Sequence, residues 1–136
     1  MSDNNFVDSN IAIYALDSHS EKGHIAMELL RERPWMRTHV IMESVNVLIK
    51  KLGFSKGDAF EHARFLIFNS KIITITDHTL MLGFDISERY GYTHWDSLII
   101  AAALESKCQV LYSEDLKNGH VIQGMTIRNP FVNIQP

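Results

Sequence analysis

The chain is 136 residues long, 46% hydrophobic and 21% charged, with only three prolines; this is the balance of one packed domain spanning 1–136 and excludes a low-complexity or disordered segment. A formal charge of −3 and a pI near 6.1 run against the basic footprint of nucleic-acid binders, so such a function would need local positive charge. Polar, acidic Met1 to Asn5 lacks the basic flank of a signal peptide, and the longest apolar run, Leu98 to Leu104, is far short of the roughly 20 residues that span a bilayer, so a cytoplasmic protein without a membrane segment is expected.

Strand and helix patterns take turns along the chain. Phe6-Val7 forms a short apolar strand ending at Asp8, and Asn10 to Leu16 reads as a turn or short helix. Ser18 with Glu21 three residues later predicts a capped helix whose apolar face holds Ile25, Leu29 and Met27, ended by Pro34. After an extended piece at Met36-Arg37, Thr38 is expected to cap a helix carrying Ile41, Val45, Leu48 and Ile49 and stopping near Gly53. Ser55 with Asp58 caps a third helix bearing Phe60, Ala63 and Ile67. The β-branched run Lys71 to Thr76 is strand-like, and Asp77 is expected to cap a helix ending near Gly91. Thr93 with Asp96 makes the best capping box of the chain, ahead of Leu98, Ile99 and Ala102. Gln109 to Tyr112 is a buried strand beside the lone Cys108, a small buried side chain that can form no internal disulfide, and Met125 to Ile127 is the last strand.

Strands alternating with helices predict an α/β fold with parallel pairing, its sheet covered on both faces. Ligand groups in such sheets gather beyond the carboxyl ends of the strands. Asp8 ends the first strand, Asp115 follows the Gln109 to Tyr112 strand, Asp96 lies in the first turn of its helix, and Glu43 lies about one turn into another. The topology can bring all four to one rim. Carboxylates crowded together repel unless a cation joins them, and hard oxygen ligands suit Mg²⁺ or Mn²⁺. A metal held there would activate water and stabilise charge on a phosphate, which is phosphodiester hydrolysis. Each acid also has a plain structural explanation: Asp96 and Asp58 as capping residues, Glu43 as a solvated helix charge. Arg31, Arg33, Arg37, Lys50, Lys51 and Lys56 either supply positive surface for phosphates or solvate helix faces.

The segment Phe6-Val7-Asp8-Ser9-Asn10-Ile11 resembles the opening of PIN-domain proteins. Three further segments match that family in order: Met42-Glu43-Ser44-Val45-Asn46-Val47-Leu48, then Trp95-Asp96-Ser97-Leu98-Ile99 with Ala101-Ala102-Ala103, then Ser113-Glu114-Asp115. The close of the chain, Tyr112-Ser113-Glu114-Asp115-Leu116 followed by Gly119 and Asn129-Pro130-Phe131, is similar to VapC-type toxins of bacteria. The resemblance implies a three-layer α/β/α fold around a parallel sheet of about five strands. It implies Asp8, Glu43, Asp96 and Asp115 as metal-binding catalytic acids, with Asn10 and Ser113 orienting carboxylates or water. It further implies Mg²⁺-dependent endoribonuclease action on RNA, an antitoxin protein covering the acidic site, and a homodimer. Ser9 and Ser113 stand where the family often has threonine, and both keep the hydroxyl. Glu114 is expected either to point to solvent from the rim or to act as a fifth ligand, and His94 to be an exposed first-turn residue.

Other chemistries fit less well. There is no adjacent His-Asp pair, no His-Glu-x-x-His and no glycine-rich phosphate loop. Trp35, Trp95 and Tyr92 can stack on bases, although aromatic residues beside core helices more often pack. Two alternatives stand beside the nuclease reading: a receiver-like domain that accepts a phosphoryl group, for which paired acids at the first strand and a late lysine are not evident, and a PIN-like binding module without activity.

Overall fold

The computed structural model describes residues 4–134; Met1 to Asp3 of the polar opening lie outside them. In chain order the elements are β1 (Asn5–Val7), α1 (Ser9–Tyr14), α2 (Glu21–Leu30), β2 (Trp35–Arg37), α3 (Thr38–Lys50), α4 (Lys56–Phe68), β3 (Lys71–Ile73), α5 (Asp77–Tyr90), α6 (His94–Glu105), β4 (Val110–Tyr112), β5 (Val121–Ile122) and β6 (Met125–Arg128). The sheet order is β3-β2-β1-β4-β6-β5. Five strands run parallel, as expected, and the two-residue β5 adds an antiparallel edge. The turn joining β5 to β6 has Gln123 and Gly124 both at positive φ, a pair that short hairpins need and that the apolar pattern does not signal.

Alternating side chains along the strands feed two cores. Phe6, Leu111 and Ile127 pack with Ile99, Ile100 and Ala101 to Ala103 of α6 on one face; Val7 and Met36 pack with α1, α2, α3 and α4 on the other. The small side chains of Ala101 to Ala103, all fully buried, let α6 lie close against the strands.

Several local expectations shift by one or two residues. Ser20, not Ser18, caps α2 by accepting from the Gly23 amide, because Asp17 accepts from the His19 amide and holds residues 17–20 in a turn. Thr38 is the first helical residue of α3, and Arg37 occupies the cap position without a side-chain bond. On α4 the buried face is Ala59, Ala63 and Leu66, leaving Phe60 and Ile67 exposed; Ser55 caps this helix as expected. β3 stops at Ile73, three residues before the expected end. Thr76 rather than Asp77 caps α5, since Thr76 and Thr79 satisfy each other's backbone in a reciprocal capping box. Among the described residues no helix is long and apolar enough to cross a membrane.

Candidate functional site

The parallel strands set the site's position. Asp8 continues the β1 ladder, its amide donating to the Tyr112 carbonyl at 3.0 Å, and Ser113 does the same one strand over through the Arg128 carbonyl at 3.0 Å. Both side chains therefore emerge side by side at the carboxyl end of the sheet. Asp8 also caps α1, with Oδ1 accepting from the Ser9 amide at 2.7 Å. Its other oxygen accepts from the Ser113 hydroxyl at 2.8 Å.

Asn10, in the first turn of α1, ties this pair to Asp115. Its Nδ2 donates to Asp115 Oδ2 at 3.1 Å and lies 3.4 Å from Ser113 Oγ and 3.5 Å from Asp8 Oδ2. In return, the Glu114 amide donates to Asn10 Oδ1 at 3.3 Å, and the Asp115 amide donates to Ser113 Oγ at 3.2 Å. Residues more than 100 positions apart thus form one network around two carboxylates. Asp8 is buried, whereas Asp115 is exposed, so the pair opens to solvent on one side. Burial pushes the Asp8 carboxyl above its ordinary value; Ser113, the Ser9 amide and Arg37 pull it back, and Asp115 adds to the rise.

Asp96 and Glu43 start from the same rim by topology but stand apart from this network. α6 leads directly into the start of β4, so its first turn lies toward the carboxyl end of the sheet. Tyr92, just ahead of α6, makes a 2.8 Å hydrogen bond with His120 Nδ1, which belongs to the loop beyond Asp115. Burial raises the Tyr92 hydroxyl above its ordinary value and the Asp96 charge adds to the rise, while Lys117 opposes it. Thr93 caps α6 through the Asp96 amide at 3.1 Å, but the Asp96 carboxylate makes no hydrogen bond or ion pair with any described residue. The capping role accounts for the Asp96 backbone and leaves its charge unassigned. Glu43 pairs with His39 Nε2 at 2.5 Å along α3. His94 is exposed, its ring 4.9 Å from that of Trp95, which is 70% exposed; Trp35 packs against the core instead.

Glu114 neither points to solvent nor joins the acids. It turns back to α1 and α2, accepting from the Tyr14 hydroxyl at 2.6 Å and pairing with Lys22. Burial pushes its carboxyl up, but the hydrogen bonds from Lys22 and Tyr14 outweigh this and hold it below its ordinary value. Lys22 in turn lies 4.7 Å from the Tyr14 ring centre and 5.3 Å from that of Phe131. No sequence spacing announces this clamp, because Tyr14, Lys22 and Glu114 meet only through the fold. Lys22→Met is expected to raise hydrogen exchange at the Glu114 and Asp115 amides roughly threefold to tenfold, since a partly exposed charged pair contributes about 1 kcal/mol. Unaltered exchange would show that the loop holds its shape without the clamp.

Among the described residues, no three His, Cys, Asp or Glu side chains form a ready-made metal-ligand group. The two bridged carboxylates nonetheless fit Mg²⁺, which takes one or two protein carboxylates and keeps several waters. The buried Asp8 carboxylate has no ion-pair partner among the described residues, and a cation would offset the burial and repulsion that now raise it. The seven histidines and buried Cys108, whose thiol burial pushes up to about 12, provide no softer alternative there.

Solved structures share this architecture. A toxin-antitoxin complex from Klebsiella pneumoniae is 21% identical with a TM-score of 0.69, covering 93% of this chain and 98% of that one. DNA-bound VapBC from Salmonella typhimurium is 17% identical with a TM-score of 0.66, covering 95% and 99%. VapC20 of Mycobacterium tuberculosis, a toxin that cleaves the Sarcin-Ricin loop, is 16% identical with a TM-score of 0.62, covering 82% and 92%. At these identities the likeness is one of fold. No curated protein sequence matches the chain. The profile of the PIN domain matches residues 6–120, most of the chain and both ends of the Asp8 to Asp115 network, and the protein therefore belongs to the PIN domain family.

Proposed function

We propose that the chain is a metal-dependent endoribonuclease and the toxin component of a toxin-antitoxin pair. The observation that carries this reading is the Asp8–Asp115 pair, two carboxylates bridged by Asn10 and Ser113, one buried with no ion pair to any described residue and one open to solvent. Membership of the PIN family supports nuclease chemistry, and the fold shared with VapBC complexes supports an antitoxin partner. In this reading Asp8 and Asp115 hold Mg²⁺, or Mn²⁺, with Asp96 and Glu43 completing the acidic rim. The metal, when bound, lowers the pKa of the attacking water and stabilises charge on the phosphate and leaving oxygen.

The chain's own residues do the positioning. Ser113 fixes one Asp8 oxygen and the Ser9 amide the other, so the carboxylate cannot rotate. Asn10 sets the separation of the two acids, and the buried side of Asp8 keeps bulk water from that edge. The unassigned Asp96 carboxylate would be available to help hold the metal or orient water, whereas one Glu43 oxygen is engaged by His39. A homodimer acting in the cytoplasm completes the proposal.

Purified protein incubated with single-stranded RNA is expected to cut it with Mg²⁺ or Mn²⁺ and not with EDTA. Asp96→Asn should lower the rate by at least about 100-fold, more than the loss of a supporting residue around a metal usually costs. Cutting that persists in EDTA, or in Asp96→Asn at the parental rate, overturns the assignment.

A further inference from the structure

The strand register that delivers Asp8 to the rim delivers a cation beside it. Arg37 ends β2, in register with Ile73 of β3; on the other side, extending the Phe6↔Trp35 pairing by two residues sets it opposite Asp8. Side-chain alternation places Arg37 on the same face as Trp35 and Ile73, which pack toward α6, and Asp8 on the same face as Phe6. Arg37 and Asp8 thus project together from adjacent strands toward the side of the sheet on which α6 presents Asp96.

Among the described residues nothing uses this guanidinium. The Arg37 side chain makes no hydrogen bond or ion pair with any described residue, its Nε is buried without a partner, and Ile73 beside it offers no counter-charge. Asp8 feels its charge, yet the two are not bonded to each other. Arg31, by comparison, is satisfied by Glu28 on its own helix. A permanently charged fork left unpaired is costly, and its planar donors match the oxygens of a phosphate. A chain of net charge −3 whose site is acidic also needs a local cation to hold a polyanion there.

We propose that Arg37 is the phosphate anchor of this site, gripping a backbone phosphate of the RNA strand beside the bond presented to Asp8 and Asp115. The proposal rests on the nuclease reading and extends it by naming the residue that holds the substrate's charge.

The test uses the full chain, with Ca²⁺ replacing Mg²⁺ to hold RNA without cutting it, and a short fluorescent single-stranded RNA as probe. Arg37→Met keeps the apolar stem and removes the charge; it should raise the RNA Kd roughly tenfold and reduce the slope of log Kd against log salt by about one. Arg37→Lys should restore the slope but only part of the affinity, because a point charge replaces a fork. Neither Ca²⁺ affinity by calorimetry nor the thermal midpoint should fall below the parental value in either variant. An unchanged Kd and salt slope in Arg37→Met overturns the proposal, as does a loss matched by an equal loss of Ca²⁺ affinity, which would make Arg37 a structural partner of Asp8. Polyglutamate competing as well as RNA of equal length would reassign Arg37 to an acidic protein segment. Parental protein that neither binds nor cuts RNA would instead overturn the nuclease reading itself.

Discussion

Asp8→Asn is expected to remove RNA cleavage, by on the order of a thousandfold, while making the metal-free protein more stable. Both effects have one cause. Burial and the neighbouring Asp115 raise the Asp8 carboxyl above its ordinary value, so the folded state holds this proton more tightly than the unfolded chain does. Protein stability from this group is therefore greatest at low pH and falls as pH rises from the ordinary carboxylate range through the raised folded value. Above that value the folded protein carries a charge that it disfavours. The Asn side chain removes that charge; its Oδ1 can still accept from the Ser9 amide, and the Ser113 hydroxyl can reverse to accept from Nδ2.

Metal inverts the comparison. Bound Mg²⁺ at about 100 times its Kd would stabilise the parent by about 2.7 kcal/mol and leave the Asn variant nearly untouched. Thermal scans at pH 5 and pH 8, each in EDTA and in Mg²⁺, read all of this. The variant should melt higher than the parent in EDTA at pH 8, with the gap narrowing at pH 5 and reversing in Mg²⁺. Equal stabilisation of both proteins by Mg²⁺ would remove Asp8 from the metal site, whatever the cleavage assay shows.

The parts of this fold that were readable in advance are those in which one residue type meets one local rule. Apolar strands alternating with amphipathic helices announce the α/β class, and the carboxyl-end rule alone puts Asp8 and Asp115 at the rim. Their contact, through Asn10 and Ser113, is an outcome of β1 pairing with β4, which follows from tertiary packing and not from spacing. The same limit explains the errors. Ser18 and Ser20 are equally good caps, and only the turn closed by Asp17 chooses between them. Phe60 and Ile67 looked like the buried face of α4 because they are large, but the core took Ala59, Ala63 and Leu66. Glu114 carried no local cue, since the two residues that hold it sit about 100 positions away. Asp96 was ambiguous for a chemical reason: Thr93 uses only its amide, and sequence cannot say whether the carboxylate is also spent.

Gly23→Ala is expected to lower the thermal midpoint by about 8–15 °C, although helix propensity alone predicts the reverse. Gly23 is in the first turn of α2, where alanine would contribute up to about 1 kcal/mol by restricting the unfolded chain. The added Cβ, however, would stand 1.7 Å from the Asp17 carbonyl oxygen and 2.8 Å from its carbon. Those are backbone atoms of a turn pinned by the Asp17 amide donating to the Tyr14 carbonyl at 3.0 Å and by Asp17 Oδ1 accepting from the His19 amide, so they cannot swing aside as a side chain would. Either the turn or the start of α2 must move by more than an ångström. Overpacking of this kind costs about 2–4 kcal/mol, and a domain of this size loses about 4 °C per kcal/mol. The displacement also draws Lys22, the preceding residue, away from Glu114, so the loop bearing Asp115 should loosen and more Mg²⁺ should be needed for half-maximal cleavage. Gly57→Ala is the control, being in the first turn of α4, where a Cβ meets nothing nearer than Ser55 Oγ at 3.9 Å. That variant should melt at or slightly above the parental midpoint. If Gly23→Ala behaves like Gly57→Ala, the turn yields easily, and the close approach of α2 to Asp17 is not what fixes Lys22 beside the site.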